Sequence, residues 1–334
     1  MMTKIGSYDF DILSDMFITG ADQTKAELRV PEIRGVLRWW FRVLGGFKSD
    51  DRDVKIQEAE LFGSVHGEKG ARSALVVRIE ALKLTPLIKE KNDYFLFPLN
   101  KNPKGYFTPA HNAFTLHIWW NGSLAPKGSL EALITVFGHL GSLGMRTRRC
   151  YGALAFSNDK SPMSLKEALS HFKTPDTIEI KEYIDSFVDV DKCIQKAMGW
   201  LKGWRSVGPS NSRNTGPGME YGQDTRSFAW RDHEIGRNEC DKPAVRPALG
   251  MPILQKYGKE FSPARKDQER FASPIILRPI RSEKGFKLLV LFVEKYKWNE
   301  SDLIEIKSSR KEHPVSLELY NAMKADKSLS EFIP

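Results

Sequence analysis

Cysteine is scarce: Cys150, Cys193 and Cys240 are the only three in 334 residues, far apart and in no C-x-x-C spacing. That excludes a disulfide framework and a cysteine zinc site, and it fits a reducing compartment. Long apolar runs are missing as well. The longest, Leu288–Val293, is far too short to span a bilayer, and the opening MMTKIGSYDFDI is too polar for a signal peptide. A cytoplasmic protein with no membrane partner is expected. No GxxxxGK[ST] occurs and no G-x-G-x-x-G follows a strand pattern, so NTP hydrolysis has no support. No histidine precedes His66, and the only acidic run, Asp50, Asp51 and Asp53, reads as a solvated turn. Neither a catalytic set nor a metal or cofactor site is expected.

Positive charge is what the sequence has instead. With 51 Lys and Arg against 42 Asp and Glu, the formal charge is +9, which favours a polyanionic partner such as nucleic acid. The charge has a focus in PEIRGVLRWWFRVLGG, residues 31–46. Pro31 suits the first turn of a helix, and Gly45 and Gly46 suit its end. Ile33, Val36, Leu37, Trp40, Phe41 and Leu44 recur at helical period as one apolar stripe. Arg34, Arg38 and Arg42 step by four as a second stripe, with Trp39 turned from the core beside them. Glu32 is the only acid in the segment, so pairing along the helix cannot neutralise the arginines. The spacing predicts a helix anchored on one face and cationic on the other; a merely solvated face is the plainer alternative. Just upstream, QTKAELRVP adds Lys25 and Arg29, together with Glu27.

A second focus is GSLGMRTRRCYG, residues 141–152. Gly141, Gly144 and Gly152 permit close backbone approach, and Arg146, Arg148 and Arg149 add cations with no acid nearby. Backbone N–H groups plus arginines would make a phosphate cradle. A helix end also wants glycine and suits basic residues, but three arginines exceed what a cap requires.

The element order places both segments. A strand over Ser7–Leu13 precedes the basic helix. Then follow a short helix Val54–Phe62 capped by Gly63, strands Ala74–Leu82 and His111–Trp120, a helix from an N-cap at Ser129 to Leu140, and a strand Tyr151–Phe156. This is the split βαβ, or ferredoxin-like, order that RNA-binding modules commonly use. The polar connector Ser161–Pro175 marks a boundary between domains 1–160 and 161–334. The second half reads as a more decorated α+β unit. It has a helix Val190–Trp204, a Gly/Ser/Arg-rich loop Arg205–Arg226, strands Phe271–Pro279 and Phe286–Val293 joined by RSEKG, and a closing helix Pro314–Lys324.

GADQ…ELRVPEIRGVLRWWFR, the LFGS that follows and GSLGMRTRRCYG resemble the RAMP superfamily of CRISPR proteins. Within it, the doubled tryptophan of RGVLRWWFR and the later SPIILRP look most similar to the family of the first-numbered RAMP subunit of type III-B (Cmr) effector complexes. The likeness covers about the first 155 residues and, beyond them, Pro274–Arg281; Cys150 departs from it, standing where a glycine often follows the arginine pair. The resemblance implies an α+β fold of two ferredoxin-like (RRM-like) domains packed together. It also implies a non-catalytic RNA-binding subunit of a crRNA-guided complex. Its partners would be crRNA and/or target single-stranded RNA near the guide's 3′ end, and other Cmr subunits. By position the family's basic helix falls on Arg34, Arg38 and Arg42, and its glycine-rich loop on Gly141 to Gly152. Trp39, Lys25, Arg29, Tyr151, Arg278 and Arg281 complete the candidate contacts.

Two other readings stay open. A metal-independent, guide-processing endoribonuclease of the same superfamily often uses a histidine near the first helix. That position is empty here, and His111, His117 and His139 read as structural or surface residues. A purely structural subunit would turn its basic face to an acidic protein. Aromatics beside cations stack on bases at about 1–3 kcal/mol each. Trp39, Tyr106, Phe107, Tyr151 and Tyr221 are candidates, whereas Trp40, Trp119 and Trp120 read as core or sheet.

Overall fold

A computed structural model describes residues 2–64, 70–83, 86–87, 95–96, 105–109, 112–122, 125–205, 226–254, 260–264, 270–307 and 309–333. The first half runs β1 (Thr3–Ile12), β2 (Met16–Phe17), α1 (Val30–Val43), α2 (Val54–Phe62), β3 (Leu75–Lys83), β4 (Pro86–Leu87), β5 (Tyr106–Phe107), β6 (Ala113–Trp120), α3 (Lys127–Leu140) and β7 (Leu154–Phe156). Its main sheet is antiparallel in the order β3-β6-β1-β7. With α1 between β1 and β3 and α3 between β6 and β7, this is the expected ferredoxin-like arrangement. Alternate residues of β1 point to the helices. Tyr8, Phe10 and Ile12 share one core with Ile33, Leu37, Trp40 and Phe41 of α1 and Leu133 and Phe137 of α3.

Local chemistry sets the helix ends. Pro31 lies in the first turn of α1, and Gly45 and Gly46 turn the chain away at φ +77° and +81°. Asp53 caps α2 by accepting from the Lys55 N–H. Ser129 is not the N-cap of α3: the helix starts at Lys127, after Pro126, so Ser129 lies inside it. Proline's fixed φ suits the entry, and the N-cap lies three residues upstream, at Pro126.

The second half runs α4 (Leu165–Ser170), β8 (Ile178–Phe187), α5 (Val190–Arg205), α6 (Arg226–Gly236), β9 (Ile253–Leu254), β10 (Glu260–Pro263), β11 (Ile275–Ser282), β12 (Gly285–Val293), β13 (Leu303–Ile306), β14 (Lys311–Pro314), α7 (Glu318–Lys324) and β15 (Leu329–Glu331). The sheet order β11-β12-β8-β15 repeats the permutation of the first sheet, with α5 after its first strand and α7 before its last. The decoration is α6 plus a separate sheet, β14-β13-β10-β9.

The halves share a packed interface. Along β12, Leu289, Leu291 and Val293 join the first core, while Leu288, Val290 and Phe292 join the second with Trp200, Trp204 and Tyr320. Burial on both faces explains why LLVLFV is continuously apolar rather than alternating. The connector read as a boundary also feeds the first core, through Leu165, Ala168 and Phe172. None of the three cysteines forms a disulfide. Among the described residues no helix is long and apolar enough to cross a membrane.

Candidate nucleic-acid interface

The arginine stripe of α1 forms as its spacing predicts, but it is not an unpaired cationic face. Arg34 turns inward and donates to the carbonyls of Leu75 (3.0 Å) and Phe62 (2.9 Å) and to Ser73 Oγ (3.0 Å). It ties α1 to the segment joining α2 and β3, and burial, then the neighbouring Arg38, lowers its pKa. Arg38 and Arg42 both donate to the Glu58 carboxylate on α2, and Arg38 also reaches the Gly63 carbonyl at 3.0 Å. Burial alone would raise the Glu58 carboxyl; hydrogen bonds from Arg42 and Arg38 outweigh it and hold the group below its usual range. Glu58 is 16 residues beyond Arg42. A search for acids three or four positions away could not find it.

The glycine loop departs further from expectation. Its backbone donors are committed inside the protein: Leu143 to the Gly152 carbonyl (2.9 Å), Met145 to Phe17 (2.7 Å), Arg149 to Arg146 (2.8 Å), Cys150 to Leu277 (2.8 Å) and Gly152 to Asp15 (2.9 Å). Gly144 and Gly152 sit at φ +86° and +70°, and a Cβ there would meet the Phe17 and Leu143 carbonyls at 2.3 and 1.9 Å. These glycines serve close packing rather than an open phosphate cradle. Gly141 likewise abuts the Phe137 carbonyl, at 2.3 Å from where a Cβ would be. Arg146 and Cys150 also adopt positive φ, so Cys150 takes the left-handed conformation without being glycine.

Several predicted contacts are structural pins. Arg278 is fully buried and donates to the carbonyls of Gly141, Pro279, Gly138 and Leu154 at 3.1, 3.2, 3.1 and 2.6 Å. Arg149 is buried against the Arg148 and Ile275 carbonyls. Burial pushes both guanidinium groups down to about 9, helped at Arg149 by the charges of Arg205 and Arg146. Together they clamp the 141–152 loop to β11, joining the two halves. Tyr151, Tyr106 and Phe107 are core residues at 2%, 1% and 2% exposure, so none is available to stack on a base. Arg281 pairs with Asp11 (2.6 Å), Lys25 with Asp22 (3.2 Å), and Arg29 with Glu32. Tyr221 and His111 fall outside the described residues, as does most of the 205–226 loop.

What gathers around α1 is smaller and more specific. Trp39 stacks on Tyr296 with centroids 5.9 Å apart and planes 26° apart, and the Arg148 guanidinium sits 5.5 Å from the centre of its ring. Arg148 itself bonds the Ser273 carbonyl. Clefts of about 200 and 350 Å³ border this group, the first lined by Gly35, Trp39, Ser142 and Arg148, the second by Arg38, Arg42, Lys295 and Tyr296. Lys295 and Tyr296 have no counterpart among the sequence-based candidates. They come from the segment after β12, and only the tertiary fold brings them to α1.

Among the described residues, no histidine lines either cleft. His139 packs against Phe156, and burial, then the Arg278 charge, pushes its pKa down to about 4. His117 is held between Ser7 Oγ (2.8 Å) and Glu80 (3.1 Å). Among the described residues no group of three or more His, Cys, Asp or Glu could hold a metal.

Residues 9–155 match the family model of the RAMP superfamily. The chain is 32% identical over 269 residues to the CRISPR system Cmr subunit Cmr1-1 of Pyrococcus furiosus, an alignment covering 75% of each protein. The crystal structure of Cmr1 from Pyrococcus furiosus in its apo form matches over 97% of both chains, at a TM-score of 0.55 and 16% identity. A chain in the cryo-EM structure of a type III-B Cmr-beta complex bound to cognate target RNA and AMPPnP matches over 98% of both, at a TM-score of 0.50 and 12% identity.

Proposed function

The chain belongs to the Cmr1 family of RAMP proteins, and from that premise we propose that it is a non-catalytic RNA-binding subunit of a cytoplasmic type III-B CRISPR effector complex. Its ligand is guide or target single-stranded RNA near the guide's 3′ end, and its protein partners are other Cmr subunits. One observation carries the RNA-binding reading. Arg38 and Arg42, with side chains 35% and 52% exposed, share a single carboxylate beside an indole capped by Arg148. Such a surface offers cations to phosphates beside an aromatic cluster whose edge borders the cleft. It reads backbone and shape, so sequence preference is slight.

Two features support the non-catalytic part. His139 packs against Phe156 beside Arg278 and lines neither cleft at α1. His117 points from the sheet face opposite α1, its register neighbours being Ser7 on β1 and Arg78 on β3. Incubating the purified protein with 5′-labelled single-stranded RNA, with Mg²⁺ or with chelator, tests the whole reading on parallel native and denaturing gels. A salt-sensitive shift with intact RNA is expected. Cleavage that persists in chelator and disappears with one His→Ala change would replace it with the endoribonuclease. No shift, with tight binding to a neighbouring subunit instead, would make the basic surface an assembly face.

A further inference from the structure

We propose that the RNA path continues from α1 onto the second half of the chain, through a phosphodiester site that Lys295 and Tyr296 complete. The inference rests on the RNA-binding reading and adds to it a site and a direction. The cleft of about 350 Å³ lies between α1, α2 and residues 294–296, and is lined by Arg38, Arg42, Lys55, Glu58, Lys295 and Tyr296 among others. Among the described residues, four cations therefore face one carboxylate. Glu58 is buried and already shared by the two arginines, while Lys55 and Lys295 are exposed. Glu294, next to Lys295 in the chain, is committed elsewhere, to Lys324 (2.7 Å), Tyr320 (3.1 Å) and Lys297 (3.4 Å). Among the described residues, no second acid lines the cleft to balance this positive charge.

Lys295 is held in place rather than dangling: its Nζ donates to the Arg42 carbonyl at the end of α1. Partial burial, then the Arg42 charge, lowers its pKa, as follows when two cations are brought together without an anion between them. A bound phosphate would relieve that repulsion. Tyr296 forms the wall between the two clefts, its ring stacked on Trp39. Beyond that wall lies the cleft of about 200 Å³ bordered by Trp39, Thr147, Arg148 and Ser142. Ser142 is 8% exposed, and its Oγ is buried with no hydrogen-bond partner. An orphaned buried hydroxyl is costly unless a ligand meets it. Across from it, a Cβ at Gly35 would meet nothing within 4 Å. The two clefts thus suit one nucleotide step: phosphate among the cations, base or ribose beside Trp39, Arg148 and Ser142. The ligand class is single-stranded RNA bound through its backbone.

The test is fluorescence anisotropy of labelled single-stranded RNA across a salt series, on the full chain, with Lys295→Gln, Lys295→Arg and Lys55→Gln. Losing one phosphate contact should weaken binding about fivefold near 0.1 M salt and lower the slope of log K against log salt by about 0.7. Lys295→Arg should retain binding. Lys55→Gln changes an exposed position on the opposite wall, so it reads the site even if the Lys295 variant folds poorly. If wild type binds RNA while Lys295→Gln and Lys55→Gln match it in affinity and slope, this site is refuted and the RNA-binding reading stands. If wild type itself shows no salt-sensitive binding, the reading falls and the site with it.

Discussion

Replacing Glu58 with glutamine should move stability and RNA affinity in opposite directions. In the folded protein its carboxylate receives the Arg42 Nε and Nη2 donors and the Arg38 Nε donor. Glutamine preserves the shape and one acceptor oxygen but loses the charge. Hydrogen bonds to charged groups contribute about 1.5–3 kcal/mol. Discounting for arginine side chains 35% and 52% exposed, a loss of roughly 1–2 kcal/mol is expected. The lowered pKa of Glu58 fixes the pH sense: its contribution is present above the unfolded carboxyl value of about 4.3 and is lost as pH falls below it. For a phosphate seated about 4 Å away, removing the carboxylate relieves roughly 1 kcal/mol of repulsion even in bulk-like dielectric, or about fivefold in affinity. Thermal melts and anisotropy titrations at one salt concentration read the two effects side by side. A Glu58→Gln protein that is less stable but binds RNA no tighter would refute the view that Glu58 competes with phosphate for these arginines.

Other expectations follow from the same contacts. Arg278→Met strands the carbonyls of Gly138, Gly141 and Leu154 and should cost about 3–5 kcal/mol in denaturant unfolding; a loss under 1 kcal/mol would contradict its role as a pin. His139, with its pKa pushed down to about 4 by burial and then by Arg278, must stay neutral in the fold. Its contribution is complete above the unfolded value of about 6.5 and is lost as pH falls towards 4, by about 2–3 kcal/mol at most. Urea midpoints at pH 7 and 4.5 should therefore diverge in wild type and converge in His139→Asn. Trp40→Ala, in the core at 2% exposure, should lose about 3–5 kcal/mol of stability. Trp39→Ala should instead lose mainly RNA affinity, by about 1–3 kcal/mol, and equal effects of the two changes on binding would remove Trp39 from the interface.

Local signals were well legible. The α1 stripe, the capped helix at Val54–Phe62, the alternation of β6 and the glycine ends all depend on neighbours within a few residues, and they stand where periodicity and capping place them. The second sheet was harder because β8 and β15 pair across long separations and because β12 is buried on both faces, which erases its alternation. The β14-β13-β10-β9 sheet is split in sequence around β11 and β12 and built of strands four residues long or shorter. At the candidate site, the structure brings together Arg38, Arg42, Trp39 and Arg148, which the sequence singles out separately. Sequence could not reveal Glu58, which answers the arginines from another helix, nor Lys295 and Tyr296, which arrive from the other half of the chain. The same blindness to tertiary contact made Arg149 and Arg278 look like ligand-binding cations, when their donors are spent on backbone carbonyls inside the fold.

The central claim, that α1 holds RNA through its arginines, is tested most directly by the salt dependence of single-stranded RNA binding. The comparison should set Glu58→Gln against the same protein also carrying Arg38→Ala and Arg42→Ala, so that no carboxylate is left buried and unpaired. If the arginines contact phosphates, affinity falls and the slope of log K against log salt drops by up to about 0.7 for each contact, with melts showing both proteins folded. Superimposable isotherms and slopes for the two proteins would contradict the account.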